Sequence, residues 1–190
     1  GLCMIGKRGT WERDGAKIMI TDIHDGRAKE AVKRFKAVYV KPEKIFETPA
    51  DIFAACALGG ILNDDTIPKL RCRIVAGGAN NQLLEEKKHN QMLIERSILY
   101  APDYAINAGG LINVANELEG YSEKRALKQA EGIYDILRQI FRISKEENVP
   151  TTVAANKRAE HRIQSIGHIK QIFSSRSNGA AQNHESSVKT

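Results

Sequence analysis

The chain has 190 residues, of which 42% are hydrophobic and 27% are charged, as is ordinary for a soluble globular domain. No apolar run approaches the roughly 18 residues that a membrane-spanning helix needs, and no signal-peptide pattern opens the chain, so the sequence predicts a cytoplasmic protein. The net charge of +6 is concentrated in residues 151–190, without aromatic interleaving or a recognition motif. We therefore expect no nucleic-acid partner and no membrane partner.

The cysteines and histidines show no spacing typical of a metal site. Cys3, Cys56 and Cys72 are an odd number without a C-x-x-C pair, so neither a disulfide framework nor a zinc site is indicated. The five histidines include no H-E-x-x-H arrangement. The sequence therefore predicts no bound metal.

The first sixteen residues contain a short apolar run at 2–5 and glycines at 6, 9 and 15. A dinucleotide-binding fingerprint needs G-x-G-x-x-G, then a complete helix and a second strand. Barely more than one helical turn separates Gly9 from Gly15. The glycine-rich phosphate-binding turn is therefore incomplete or altered.

A compact apolar run at 17–22 ends in a carboxylate and predicts a strand of a parallel sheet. A helical pattern at 27–36 and a short strand at 37–40 follow. An acidic residue at the end of such a strand is placed to hold the adenosine ribose hydroxyls, and its charge would repel a 2′-phosphate. Asp22 is therefore a candidate for NAD preference, and the alternative is that it serves only as a turn or capping residue.

Strands and helices continue to alternate along the chain. A single helical turn is predicted at 42–46, strands at 51–56, 73–77 and 97–101, and helices at 64–70 and 82–96. Parallel strands need crossover connections, which are usually helices. The pattern therefore predicts an α/β fold with a Rossmann-like doubly wound parallel sheet.

Small or amide-bearing residues follow each of these last three strands: Ala57-Leu58-Gly59, Ala79-Asn80-Asn81 and Asn107-Ala108-Gly109. In an open α/β sheet, ligands bind outside the carboxyl ends of the strands. We therefore expect a crevice at this edge. The glycine pair Gly109-Gly110, which opens into a helix, either allows close approach to a ligand or forms a tight turn without one.

Two long helices are predicted near the C-terminus. The first begins at Ser122 and Glu123 and carries an apolar stripe to Ser144, and the second runs from about Val153 to Phe173, after Pro150. The predicted layout is one NAD-binding domain at 1–173, with its first βα unit truncated or altered in 1–12. A polar, disordered tail is predicted at 174–190.

Several motifs stand in a fixed order: DGAKIMITDI at 14–23, CALG at 56–59, NDDTIP at 63–68, ANNQL at 79–83, YAPDY at 100–104, INAGG at 106–110 and INVA at 112–115. With them, the segment from about 13 to 172 resembles the coenzyme-binding domain of the glutamate/leucine/phenylalanine/valine dehydrogenases, and within that family the leucine dehydrogenases.

The resemblance implies oxidative deamination of L-leucine or a related branched-chain amino acid to the 2-oxo acid, with hydride passing to NAD, in a homo-oligomeric full-length parent. The implied cofactor-binding residues are Asp22, Ile23, Cys56, Ala57, Leu58, Asn80 and Asn107. The implied substrate pocket is formed by Asn107, Leu111 and Val114.

Four departures from the family pattern are visible. The family's glycine fingerprint and its helix should lie just before Asp14, and residues 1–12 do not reproduce them. Leu111 stands where the family usually has valine, and Asn116 replaces a usual acidic residue. The family's catalytic lysines and aspartate belong to an N-terminal substrate domain that this chain lacks, so we expect no catalytic residue here and no turnover by the chain alone. The alternative function is a non-catalytic truncated remnant, or a nucleotide- or partner-binding module without turnover.

Overall fold

A computed structural model describes residues 15–182, with side chains for 15–24 and 26–166. The prediction of an incomplete glycine turn and βα unit in residues 1–12 lies outside this range. Within it, the chain has an α/β fold with parallel strands and long C-terminal helices, so the predicted fold class is confirmed.

Five strands of two residues each form two sheets in the described part of the chain. Strands β1 (Met19–Ile20) and β2 (Val38–Tyr39) pair in parallel. Strands β3 (Ile52–Phe53), β4 (Ile74–Val75) and β5 (Leu99–Tyr100) form a parallel sheet in that order. The strands are shorter than the apolar runs predicted.

Helices connect the strands and complete the chain. They are α1 (Asp25–Phe35), α2 (Glu86–Glu95), α3 (Asp103–Ile106), α4 (Gly109–Leu118), α5 (Glu123–Glu147) and α6 (Thr151–Gln182). A 3₁₀ turn at Pro42–Glu47 matches the predicted helical turn. Helix α6 includes residues 174–182 of the segment predicted as a tail, and the domain limits stay a prediction.

The helix predicted at 64–70 is wrong. Only a 3₁₀ turn, Ile67–Lys69, forms there. The carbonyl oxygen of the Asn63 side chain accepts hydrogen bonds from the backbone N–H groups of Asp65 and Thr66, at 3.0 and 3.1 Å. This side chain takes over the bonding that a helix would provide, and asparagine often closes turns in this way.

The helix predicted at 82–96 begins later than expected, at Glu86. Leu83 forms a parallel bridge with Leu62, and the N–H of Leu84 donates to the Leu62 carbonyl at 3.0 Å. These residues continue the β-type pairing beyond the sheet, so the helix starts only after them.

The main core surrounds the three-stranded sheet. Its fully enclosed side chains include Leu62, Ile67, Val75 and Leu93. A smaller cluster of Ile20, Ala31 and Ala37 joins α1 to the two-stranded sheet. Helices α5 and α6 pack through Ile140, Ala154 and Ala155, and this helical pair therefore has a core of its own.

A cavity of about 890 Å³ lies between the two sheets. Its lining comes mainly from residues that precede or form β1, β3 and β4, among them Ile18, Ile52 and Cys72. The predicted crevice is at the other ends of these strands, so this cavity is a separate feature. Burial raises the pKa of the Cys72 thiol.

Candidate functional site

The loops that follow β3 and β4 lie against each other. The N–H of Gly78 donates a hydrogen bond to the Sγ of Cys56 at 3.3 Å. A Cβ placed on Gly59 would lie 3.1 Å from the carbonyl oxygen of Asn80. The predicted cofactor residues Cys56, Leu58 and Asn80 therefore stand on adjoining loops, and the absence of a side chain at 59 permits this approach.

A hydrogen bond joins the two asparagines that were predicted for the cofactor. The Nδ2 of Asn107 donates to the Oδ1 of Asn80 at 2.7 Å. Among the hydrogen bonds of the described residues, none uses the Nδ2 of Asn80 or the Oδ1 of Asn107. A side-chain amide carries two donors and one accepting oxygen. The pair therefore offers both a donor and an acceptor to a ligand.

Two buried polar residues hold the loop of Asn80 in place. The Nε2 of Gln82 donates to the carbonyl oxygens of Gly77 and Ala79, at 2.7 and 3.0 Å. The N–H of Gln82 donates to the Oδ2 of Asp103 at 3.0 Å, and the Oδ1 of Asp103 accepts from the N–H of Tyr104 at 2.9 Å. These bonds close the loop on itself and fasten it to the start of α3.

Sequence reasoning assigned no role to Gln82 or Asp103. Both lie in motifs that carried the resemblance, but hydrophobic periodicity gives no reason to bury a polar side chain. Their positions in the sequence could have indicated a role, since each residue lies shortly after a strand. Buried polar groups generally need hydrogen-bond partners, and backbone groups supply them for the Nε2 of Gln82 and for both oxygens of Asp103. The Oε1 of Gln82 is buried without a partner among the described residues.

Asp22 is buried directly after β1. Its Oδ1 accepts a hydrogen bond from the N–H of His24 at 2.7 Å, which is the turn role that the sequence left open. Its Oδ2 is also buried and has no partner among the described residues. One carboxylate oxygen therefore remains for a ligand. The neighbouring Ile23 is mostly exposed, with 73% of its surface accessible.

The substrate residues predicted on α4 lie on an open surface. Leu111 and Val114 are three positions apart, so they share a helix face, and they are 74% and 54% exposed. No hydrogen bond or core cluster of the described residues joins them to Asn80 or Asp22. The structure thus brings Cys56, Asn80 and Asn107 together and leaves the α4 pair beside them as uncovered apolar surface.

Asn116 has a structural explanation that sequence reasoning did not provide. Its Oδ1 accepts from the Nε of Arg125, and its Nδ2 donates to the Ile112 carbonyl at 2.9 Å and to Gln129. The guanidinium of Arg125 also donates to the Gly120 carbonyl at 2.6 Å. The buried amide therefore joins α4 to α5.

One group of side chains in the described ranges has the proximity of a metal site. Ligand atoms of Asp64, Glu85 and His89 all lie within 4.8 Å of one another. The Nδ1 of His89 accepts from the N–H of Glu85 at 2.8 Å, so the ring N–H is on Nε2, which lies 3.7 Å from the Oδ1 of Asp64.

That donor set does not fit a metal ion. A ligating imidazole needs its free lone pair on the nitrogen facing the metal and donates from the other one, which is the reverse of the His89 arrangement. Lys88 bonds the second oxygen of Asp64 at 2.7 Å and, with burial opposing it, lowers the pKa of that carboxyl. The expectation of no metal stays a prediction.

Helices in the described part of the chain were compared with the length and hydropathy that a bilayer requires. None of them is both long and apolar enough to cross a membrane. The structure therefore offers no spanning helix within residues 15–182.

Comparison with known proteins gives several matches. The leucine dehydrogenase of Thermoactinomyces intermedius is 51% identical over 160 residues, which are 84% of this chain and 43% of that protein. The L-tryptophan dehydrogenase of Nostoc punctiforme is 51% identical over 166 residues, 86% of this chain and 47% of its own length. The chain thus spans less than half the length of the curated relatives it matches.

Solved structures give the same picture. The crystal structure of L-tryptophan dehydrogenase from Nostoc punctiforme matches 78% of this chain and 45% of its own, with 52% identity and a TM-score of 0.77. A glutamate dehydrogenase from Thermus thermophilus, at 18% identity and a TM-score of 0.55, shares the fold.

A family model also matches most of the chain. The model described as Glutamate/Leucine/Phenylalanine/Valine dehydrogenase matches residues 7–170. This range contains the parallel strands, the loops that carry Cys56, Asn80 and Asn107, and most of the two long helices. The chain therefore belongs to the glutamate/leucine/phenylalanine/valine dehydrogenase family.

Proposed function

We propose that this chain is the NAD-binding part of an amino-acid dehydrogenase that deaminates a branched-chain L-amino acid, with L-leucine as the first candidate. The observation that carries the proposal is the amide pair, Asn107 to Asn80, at 2.7 Å between the loops that follow β5 and β4. Ligands of open α/β sheets bind at this edge.

The amide pair fits the nicotinamide end of the cofactor. The nicotinamide ring carries a carboxamide, which has one accepting oxygen and one donating nitrogen. The Nδ2 of Asn80 and the Oδ1 of Asn107 offer the complementary donor and acceptor. Neutral amides also leave the site without a charge that would oppose the positively charged oxidised ring.

Asp22 fits the other end of the cofactor. Its buried Oδ2, without a partner among the described residues, is an acceptor for a ribose hydroxyl. A buried acceptor without a partner is unfavourable, and a ligand hydroxyl would relieve that cost. The negative charge also opposes a 2′-phosphate, which favours NAD over NADP.

NAD supplies the hydride acceptor, and the residues of this chain bind the cofactor and orient it. Asn80 and Asn107 orient the ring, while Cys56, Ala57 and Leu58 flank it. Leu111 and Val114 offer apolar surface, which suits an aliphatic side chain better than a carboxylate. We assign the general base to a substrate domain outside this chain, since none of these residues is a base positioned for proton abstraction.

Calorimetric titration of this chain tests the proposal. NAD should bind more tightly than NADP. Asp22→Asn should weaken NAD binding about tenfold, equivalent to about 1.4 kcal/mol, because it removes a charged acceptor. Asp51→Asn is a matched control, since among the described residues the Asp51 carboxylate pairs only with the exposed Arg73, at 2.7 Å. No heat at millimolar NAD would contradict the binding role.

The same chain, assayed for activity, distinguishes the proposed role in catalysis from that of a non-catalytic binding module. With L-leucine and NAD, absorbance of NADH should appear only after a substrate domain is supplied. Turnover by these 190 residues alone would refute the division of labour. NAD binding with no turnover in the presence of a substrate domain would favour the non-catalytic alternative.

A further inference from the structure

One buried carboxylate connects the two loops that carry the amide pair. Asp103 is 9% exposed. One of its oxygens accepts from a backbone N–H of the Asn80 loop, and the other accepts from the N–H of the next residue in its own helix. The Oδ2 accepts from Gln82 at 3.0 Å, and the Oδ1 accepts from Tyr104 at 2.9 Å. The two segments are therefore fixed to one rigid group.

The side-chain bond to Gln82 leads to the loop of Asn80, and a backbone bond of Asp103 leads to Asn107. Gln82 ends the loop that carries Asn80. On the other side, Asp103 begins α3, and the N–H of Asn107 donates to the backbone carbonyl of Asp103 at 2.8 Å. Asp103 thus anchors the loop of Asn80 through its side chain and the position of Asn107 through its backbone.

The buried side chain of Gln82 also fixes the conformation of the loop that carries Asn80. Its side-chain nitrogen holds the carbonyl oxygens of Gly77 and Ala79, at 2.7 and 3.0 Å, and no part of the residue is exposed. With these carbonyls turned inward, Asn80 stays at the exposed tip of the loop. The loop geometry therefore depends on one buried donor as well as on the carboxylate.

We propose that Asp103 and Gln82 are positioning residues that set the spacing of the Asn80–Asn107 amide pair, and through it the affinity for the nicotinamide end of the cofactor. For its ligand, this inference rests on the proposed function. Neither residue is among the groups that we propose to contact the cofactor. They act by holding the exposed amide of Asn80 and the half-buried amide of Asn107, each of which would otherwise be free to sample several rotamers.

The physical basis is that a carboxylate can satisfy two backbone donors at once. An asparagine at 103 has one accepting oxygen and one donating nitrogen. One of the two N–H groups would then face another donor, so either the Asn80 loop or the start of α3 would be released. Bonds to a carboxylate are also shorter and stronger than those to a neutral amide.

The test compares two ligands on the wild-type chain and on Asp103→Asn. The ligands are NAD and ADP-ribose, which lacks the nicotinamide and keeps the ribose that Asp22 would hold. We expect Asp103→Asn to weaken NAD at least tenfold and to leave ADP-ribose within twofold. Equal loss of both ligands, or loss of neither, would overturn the positioning role.

A second variant tests the other residue that holds the Asn80 loop, Gln82. Gln82→Met has nearly the same volume but lacks the donor that holds Gly77 and Ala79. The same selective loss of NAD affinity is expected. Asp51→Asn removes an exposed ion pair with Arg73 that is remote from these loops. This control variant should bind both ligands as the wild type does.

A measurement without ligand keeps the inference separate from the proposed function. In NMR spectra of the free chain, the Nδ2 hydrogens of Asn107 should show a shifted resonance and slow exchange with solvent, both lost in Asp103→Asn. Retention of these features in the variant would overturn the inference. If the wild-type chain binds neither NAD nor ADP-ribose, the proposed function fails, and the amide signal alone decides the positioning role.

Discussion

Gly77, just after β4, lies close to the backbone of Ala55, just after β3. A Cβ at this position would lie 2.1 Å from the carbonyl oxygen of Ala55 and 2.3 Å from its nitrogen. Both atoms belong to backbone, so neither can rotate away. The crevice loops thus leave no room for a side chain here.

Gly77→Ala should destabilise the chain by several kcal/mol or prevent folding, because the clash forces two paired segments apart. Gly132→Ala is the matched control. An added Cβ on Gly132 meets nothing within 4 Å, and the residue is inside α5, so alanine should stabilise by about 0.5–1 kcal/mol. Urea unfolding measures both effects, and a tolerated Gly77→Ala would contradict the close approach.

Two tyrosines beside the crevice make stability depend on alkaline pH. Burial raises the pKa of Tyr104 to about 12 and raises that of Tyr100 further, in both cases above the unfolded value of 10. A raised pKa means that the folded state holds its proton more tightly than the unfolded state. The stabilisation is therefore complete below pH 10 and is lost as pH rises through the folded values.

The free energy of unfolding should accordingly fall between pH 10 and pH 12. Tyr100→Phe should flatten this fall, because it removes the more strongly shifted group. Urea titrations across the alkaline range check the slope. An identical pH dependence in Tyr100→Phe and in the wild type would show that other groups cause the loss.

Sequence predicts some site residues and not others for a physical reason. Asn80 and Asn107 follow parallel strands, and the carboxyl ends of such strands share one edge, so their proximity was predictable. Gln82 and Asp103 act through backbone groups of loops. Which loop carbonyl turns inward depends on the local dihedral angles, and hydrophobic patterning carries no information about these.

At the scale of elements, the start of α6 is fastened to two other helices. The buried Nδ2 of Asn90 on α2 donates to the Oγ1 of Thr152 at 2.7 Å. The hydroxyl of Tyr104 on α3 donates to the Thr152 carbonyl at 3.2 Å. A single residue of α6 therefore contacts both α2 and α3, the short helix that ends at Ile106.

Thr152→Val should lower the free energy of unfolding by about 1–3 kcal/mol, because the buried amide of Asn90 loses its acceptor. Valine has nearly the same volume as threonine, so packing should not change. Thr151→Val is a matched control at the adjacent position. The Oγ1 of Thr151 is buried without a partner among the described residues, so its removal should be neutral or slightly stabilising. Equal losses in the two variants, measured by urea unfolding, would contradict the role of the Asn90 bond.

The order of elements was largely predictable, whereas their limits were not. Alternating apolar runs and helical patterns identify strands and crossovers. The helix expected at 64–70 became a turn because one side chain, Asn63, competes for the backbone donors. The helix expected from residue 82 begins at Glu86 because Leu62 and Leu83 pair first. Both corrections come from specific hydrogen bonds.

At the scale of the whole molecule, the two sheets differ in how well they are buried. The three-stranded sheet packs on large side chains such as Leu62, Ile67 and Leu93, while the two-stranded sheet has only Ile20 and two alanines fully enclosed in its cluster. The cavity of about 890 Å³ lies between them. Local stability should therefore be uneven.

Native-state hydrogen exchange should reveal this difference. The amides of Ala76 and Ala101, which donate to Phe53 and Val75, should exchange slowly. Those of Val38 and Val40, which donate to Ile18 and Ile20, should exchange faster, because less apolar burial opposes local opening. Equal protection of the two pairs would show that the chain opens as a single cooperative unit.

The brevity of the strands has a spectroscopic consequence. The crevice rests on strands of two residues each, whereas α5 and α6 contain 25 and 32 residues. Far-ultraviolet circular dichroism will therefore report mainly on the long helices. A variant whose crevice has come apart would keep nearly all of that signal, so the integrity of the crevice has to be judged from the environment of Tyr100 or Tyr104.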